Sequence, residues 1–290
     1  MRCWRSATDN VGTLDPRLNA FRPDLAASHL RGKVEAARFV DGTACSVLDA
    51  QAPLRREPSP DAALDTEALY GETVAVYETN DEGWVWAQLV ADGYVGWLPA
   101  NALGRPGPAA THKVAALRTL AFVRPDIKTP PVSTLPFGAR VSVAKEDAAF
   151  AVTTAGWFLP RRHLMALDAS ESDFVAVAER FVGTPYLWGG KSNLGIDCSG
   201  LVQVSLQAAG IACPRDSDMQ AALGTTVALD ALRRGDLIFW KGHVAIARDA
   251  TSIVHANAFQ MAVAIEAVAE AIARIKAGGS EVASVRRLPA

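Results

Sequence analysis

Four cysteines and five histidines in 290 residues leave few candidates for nucleophilic or metal chemistry, and one cysteine sits in a setting unlike the others. Cys198 lies in "GIDCSG", straight after an acid, between glycines, and directly before an apolar pattern of Leu201, Val202, Leu206 and Ala209 that stops at Gly210. This spacing predicts a helix whose first turn holds Cys198. Unpaired N–H groups and the positive end of the helix dipole favour a thiolate there, and the thiolate is the nucleophilic form. Gly195 and Gly200 allow a tight backbone turn and the close approach of a substrate. A packing cysteine is the ordinary alternative, and Cys3, Cys45 and Cys213 take that reading. Cys198 departs from it only if a base stands elsewhere in the chain.

The base is sought in "GHVAIARDATSIVHANA". A hairpin whose turn centres on Asp249 sets His243 opposite His255, on one face and with Cβ atoms about 5 Å apart. His243 can then act as base toward Cys198, and His255 can orient its ring. Asn257 shares the face of His255 and is the reserve for the orienting role. Cys198, Cys213, His243 and His255 also form a nominal Cys₂His₂ zinc set, but the close cysteine pair usual in such sites is missing. His29, His112 and His163 fall in arm, linker and barrel contexts and are read as structural. No metal or cofactor is expected.

The elements that must position these residues divide the chain into four parts. Residues 1–45 read as an N-terminal arm, with a short amphipathic helix placing Leu25, Leu30, Val34 and Ala37 on one side. Residues 46–105 carry the β-rich runs "TVAVYE", "WVWAQLV" and "GYVGWLP", broken by turn chemistry in "NDEG" and "ADG". The pattern returns after the loop "GRPGPAATH": "ALYGETVAV" is echoed by "TLPFGARVSV", and "GYVGWLPANAL" by "AGWFLPRRHLMAL". Two small all-β barrels follow, at 46–105 and 113–167. From 170 to 290 the pattern changes again. "SESD" is a capping signature, followed by Phe174, Val177, Ala178, Phe181 and Val182 at helical intervals. "GDLIFW", "HVAIARD" and "SIVHANA" read as strands, and "IEAVAEAIARIKAGG" as a closing helix. Helices followed by a sheet make an α+β domain.

Composition narrows the function classes. Half the residues are hydrophobic, 21% are charged, and the formal net charge is −2, which lacks the basic excess of a nucleic-acid footprint. The first residues lack the apolar core of a signal peptide, and no stretch has the length of a membrane span. Four scattered cysteines do not form a disulfide framework. The expectation is a cytoplasmic protein without nucleic-acid or membrane partners.

The series "GTPYLWGG", "GIDCSGLVQ", "LRRGDLIFW", "GHVAIA" and "IVHAN" resembles the NlpC-type papain-fold cysteine peptidases of bacterial cell-wall metabolism, over about residues 172–288. The two barrels resemble the bacterial SH3-like domains that often precede such peptidases. The resemblance implies a papain-like α+β domain after two SH3-like barrels, with Cys198 as nucleophile, His243 as base and His255 as third polar residue. It implies Tyr186 and the Cys198 N–H at the oxyanion site. Asp197, Ser199, Ser217 and Trp188 would lie around the substrate. Tyr94 and an acid such as Glu67 or Glu57 would reach in from the first barrel. Each has an ordinary reading too: Tyr186, Trp188 and Tyr94 as packing aromatics, Asp197 as a helix cap, Ser217 as surface loop. The implied substrates are short wall peptides, L-Ala-γ-D-Glu-diamino acid, with a free N-terminal amine. They would be cut at the γ-D-glutamyl–diaminopimelate bond during murein peptide recycling. A catalytically dead binding module and a related thiol amidase or acyltransferase are the alternatives.

Overall fold

Residues 14–289 are described by the computed structural model, so Cys3 and the start of the arm lie outside the described residues. The arm does not form the expected helix. Leu25–Ala27 is a short strand paired in parallel with Arg38–Val40, and Ser28–Leu30 is one turn of 3₁₀ helix. The apolar spacing serves packing instead: Leu25, Ala27 and Leu30 are buried against Trp86, whose ring also carries the Arg22 guanidinium at 4.3 Å. Tertiary contact has overridden a short helical pattern, which lacks the length to hold by itself.

A seven-stranded antiparallel sheet follows. In spatial order it runs Leu64–Leu69, Gln51–Arg55, Val95–Pro99, Trp84–Leu89, Thr73–Thr79, Thr43–Val47 and Leu103–Gly104. Thr43–Val47 therefore belongs to this sheet, although its first three residues were assigned to the arm. Alternating side chains such as Ala52, Leu54, Val85, Ala87 and Leu98 make its core. The next segment builds a second core of Val114, Ala121, Leu135, Val141, Ala151, Leu159 and Leu164 from three short antiparallel ladders. The echoed turns touch each other. Gly71 has φ +76°, and a Cβ there would stand 2.1 Å from the Arg140 carbonyl oxygen, so the echo preserves a contact that only glycine permits.

The α+β part starts with α1 (Phe174–Arg180), capped by Asp173, whose Oδ1 accepts from the Val175 N–H at 2.9 Å. Then come α2 (Cys198–Ala208), α3 (Ser217–Gln220) and α4 (Val268–Ala277). The sheet is antiparallel with six strands: Thr225–Val227, Ser284–Arg287, Leu237–Trp240, His243–Ala247, Ser252–Asn257 and Ala262–Ala267. Helix α2 is buried nearly all round, against Val244, Ile246, Val254 and Ala256. Ala245, Ala247 and Ile253 face the other way, toward Ala271 of α4. The closing helix starts later than its pattern suggested, because Ile265, Glu266 and Ala267 continue a strand. Among the described residues, no helix is long and apolar enough to cross a membrane.

Candidate active site

The start of α2 is fixed by a buried ionic knot. Asp197 is the N-cap, with Oδ1 accepting from the Gly200 N–H at 2.6 Å and Oδ2 from the Gly189 N–H at 2.8 Å. Arg215 is 1% exposed, and each of its five N–H donors has an acceptor. Its Nη1 and Nη2 donate to the two Asp197 oxygens at 2.9 and 2.7 Å, and further to Ser199 Oγ at 2.8 Å and the Gly190 carbonyl at 3.2 Å. Its Nε donates to Thr66 Oγ1 at 2.9 Å, across to the seven-stranded sheet. Gly189 makes this close packing possible: its φ is +76°, and a Cβ would lie 2.4 Å from the Leu64 carbonyl oxygen.

Cys198 is the first residue of α2, as the sequence spacing predicts, and is 6% exposed. The hairpin register differs from expectation. Ile246 pairs with Val254 and Ala247 with Ile253, so the ladder is shifted by two residues and the turn centres on Ala250. Asp249 causes the shift, because its carboxylate caps the Thr251 and Ser252 N–H groups instead of standing at the apex. A two-residue shift keeps every side chain on its face. His243 and His255 therefore still meet, as diagonal neighbours, with His243 Nε2 and His255 Nδ1 2.9 Å apart. With the strand Ser252–Asn257 no ladder pairs are formed beyond Ile246 toward His243, and the Val244 N–H turns to the Cys198 sulfur. Asn257, the reserve for the orienting role, instead accepts from the Gln260 N–H and builds the next turn.

Burial decides the charge state. It pushes the Cys198 thiol up to about 12, aided by the Asp197 carboxylate and opposed by the Val244 N–H and Arg215. It pushes His243 down to about 3, helped by His255 and Arg274. The helix N-terminus thus does not make a resting thiolate here. Desolvation outweighs it, and the pair rests as neutral thiol and neutral imidazole. Cys198 and His243 share no hydrogen bond in this resting arrangement.

The remaining sequence candidates separate. Tyr186 is half-buried, and its hydroxyl is raised first by burial and then by the neighbouring Cys198 and Asp197. Trp188 stands 64% exposed, and Ser217 is half-buried at the start of α3. Ser199 donates to Asp197 Oδ1 and accepts from Arg215, so it and Asp197 serve the knot; their polar atoms are already engaged within the protein. Glu67 is 4% exposed, with its oxygens accepting from the Lys191 N–H and the Gln51 amide, and Glu57 lies exposed. Tyr94 has a buried ring and a hydroxyl that donates to Asp216 Oδ2 at 3.0 Å, joining the first sheet to the start of α3. Arg17 of the arm donates to the same Asp216 oxygen at 2.7 Å and to Asp218 at 2.8 Å. The nominal zinc set does not converge: His255 binds His243 and Glu266, while the Cys213 thiol donates to the Pro214 carbonyl.

Sequence reasoning missed Arg215, Asp216, Glu266 and Arg274. The first two stand in "PRDSDMQ", where only Ser217 drew notice, although an Arg-Asp pair beside a turn is a signal in itself. Glu266 was hidden by its assignment to a helix.

The chain was compared with known proteins. Residues 54–103 match the bacterial dipeptidyl-peptidase Sh3 domain, and residues 183–277 match the NlpC/P60 family. The chain is 31% identical over 200 residues to the gamma-D-glutamyl-L-lysine dipeptidyl-peptidase of Bacillus subtilis strain 168, covering 62% of this chain and 65% of that protein, just under two thirds of its length. It is 28% identical over 239 residues to dipeptidyl-peptidase 6 of Lysinibacillus sphaericus, covering 73% of this chain and 86% of that one. In fold it is similar to the crystal structure of an NlpC/P60 family protein from Bacillus cereus ATCC 10987, with a TM-score of 0.72 and 22% identity, over 85% of this chain and all of that one. With its α+β domain after an all-β SH3-like region, this chain carries an NlpC/P60 domain over residues 183–277 behind a bacterial dipeptidyl-peptidase Sh3 domain over residues 54–103.

Proposed function

We propose that this chain is a cysteine peptidase that cuts short cell-wall peptides after γ-D-glutamate, releasing a dipeptide from a free N-terminus. The carrying observation is the Cys198 thiol at the start of α2, held by the Val244 N–H one residue from His243, whose other ring nitrogen is tied to His255. The printed names of the two relatives, which act as dipeptidyl-peptidases, support the same reading.

The Cys198 S–H proton passes to His243 Nδ1 as the sulfur bonds the γ-carbonyl carbon. Negative charge on the carbonyl oxygen is met by the Cys198 N–H, which has no partner inside the helix at this position, and by the Tyr186 hydroxyl. The C–N bond breaks as His243 returns the proton to the leaving amine of the diamino acid. Water, giving its proton to His243, then opens the thioester and restores the thiol. A neutral resting pair leaves the His243 Nδ1 lone pair unoccupied at neutral pH, and the thiol proton moves to it as the sulfur attacks, not beforehand.

Asp216, whose Oδ1 accepts no hydrogen bond among the described residues, and Tyr94 read the substrate's ammonium group in place of Glu67 and Asp197, whose oxygens are engaged internally. The first sheet is docked through Thr66–Arg215 and Tyr94–Asp216, and in this reading it walls the end of the groove so that only a dipeptide fits before the cut bond. The leaving residue is a diamino acid, diaminopimelate or L-lysine. We place the reaction in the cytoplasm, where reducing conditions keep the thiol free and wall peptides are recycled.

Mass spectrometry of L-Ala-γ-D-Glu-diaminopimelate and its L-lysine counterpart tests this. Release of L-Ala-D-Glu is expected with the native protein and is expected to vanish with Cys198→Ala. Binding of the peptides without cleavage would support a catalytically dead module. Transfer of the acyl group to an added amine in preference to water would support an acyltransferase.

A further inference from the structure

The two histidines leave a question of proton placement. A hydrogen bond between two neutral imidazoles can run in either direction, and only one direction leaves His243 with a bare nitrogen for the thiol. His243 and His255 alone do not decide between them.

The decision comes from the strand after His255. His255 Nε2 lies 3.0 Å from Glu266 Oε2, and the His255 side chain is fully buried. Glu266 is held in turn by Arg274 of α4, whose Nη2 donates to Oε2 at 2.6 Å and whose Nε donates to Oε1 at 3.1 Å. Arg274 keeps the Glu266 carboxyl below the ordinary carboxylate range against the opposing effect of burial. An ionised carboxylate can only accept, so His255 carries its proton on Nε2 and presents a lone pair at Nδ1. His243 Nε2 must then be the donor of the 2.9 Å bond between the rings. The lone pair of His243 falls on Nδ1.

We propose that Glu266, clamped by Arg274, is a positioning residue that sets the tautomers of both histidines and thereby makes His243 Nδ1 the base for Cys198. This deepens the peptidase reading and rests on it for the catalytic consequence. The tautomer statement stands independently of it, on the hydrogen-bond geometry and the ionised Glu266 that Arg274 holds.

When His243 takes the thiol proton, its positive charge is shared along a bonded row that ends on a carboxylate, and this favours the protonated ring. The charged and titratable groups around the two rings are Glu266 from the adjacent strand, Arg274 from α4, Cys198 from α2 and each ring for the other. Among the described residues Glu266 is the one anion in contact with the row, and Arg274 opposes it. Removing Glu266 therefore removes both the acceptor that fixes the tautomers and the charge that favours protonation.

The test is ¹⁵N NMR of histidine-labelled protein, which reads ring tautomers without substrate, run beside peptide kinetics. The native protein is expected to show His243 protonated at Nε2 and bare at Nδ1. Glu266→Leu is expected to mix the tautomers of both rings and to lower kcat roughly ten- to a hundredfold with little change in KM, less than the roughly 10²- to 10⁴-fold of losing a general base because His243 itself remains. Glu266→Gln keeps an acceptor oxygen, so it should retain the native tautomers, lose less activity, and protonate His255 at lower pH than the native protein does. Native tautomers unchanged in folded Glu266→Leu, or His243 bare at Nε2 in the native protein, would overturn the proposal. Should Glu266→Leu not fold, unchanged His255 titration in Glu266→Gln would do the same. If the native protein cuts no peptide, the peptidase reading fails, while the NMR result still decides the tautomer claim.

Discussion

The proposed nucleophile, Cys198, and its proposed base, His243, are each governed by burial. A histidine whose folded pKa is depressed leaves the native state short of a proton that the unfolded chain binds. Between about 3, the folded value for His243, and about 6.5 unfolded, stability therefore falls as pH falls, at about 1.4 kcal/mol per pH unit for the one group. Below 3 both states are protonated and the slope vanishes. The native protein should thus lose thermal midpoint between pH 7 and 5 more steeply than His243→Asn. Raised carboxyls such as Glu67 and Asp216 act in the opposite sense in both proteins, so the difference between the two isolates His243. Equal slopes would show that His243 is not held neutral. The types and order of Cys198, His243 and His255 were legible in the sequence, because Cys198 and His243 stand beside glycines and His255 shares the face of His243 in a readable hairpin. The charge state was not. The dipole argument counts only local backbone, whereas desolvation of Cys198 comes from the packing of the sheet.

At the scale of elements, the start of α2 depends on one side chain from another segment. Arg215 joins the Asp197 cap, the 189–190 turn and the strand Leu64–Leu69. Its replacement by leucine leaves Asp197 buried and unpaired, with an expected loss of about 3–5 kcal/mol in denaturant unfolding. Lysine should rescue little, since it lacks the planar five-donor fork. A loss below about 1 kcal/mol would mean that water or relaxation replaces the knot. Nothing in the spacing of "DCSG" and "PRDS" states that they touch; such contacts are set by tertiary folding. The hairpin gives a milder case. The face shared by His243 and His255 was readable from period-two alternation, while the register was not, because the Asp249 side chain moved the turn. Ile265, Glu266 and Ala267, the end of the strand Ala262–Ala267, read as helix since "IEAVAEAIA" is rich in helix formers, and edge pairing with Val254, Ile253 and Ser252 overrode propensity.

Across the whole molecule, the all-β region and the arm reach the proposed site. Tyr94 and Thr66 from the first sheet and Arg17 from the arm all reach the segment from Arg215 to Asp218. The echoed β patterns showed that small β units precede the α+β domain, but composition carries no record of which face docks. Asp216 couples docking to recognition, because one carboxylate serves Tyr94, Arg17 and the proposed ammonium. The most direct measurement is kcat/KM for L-Ala-γ-D-Glu-diaminopimelate against the same peptide with its amine acetylated, in the native protein and in Asp216→Asn. A charge-assisted hydrogen bond of about 1.5–3 kcal/mol corresponds to roughly ten- to a hundredfold, so the native protein should favour the free amine by at least that factor and Asp216→Asn should lose most of the preference. Equal cleavage of both peptides by the native protein would contradict an amine-reading groove walled by the first sheet.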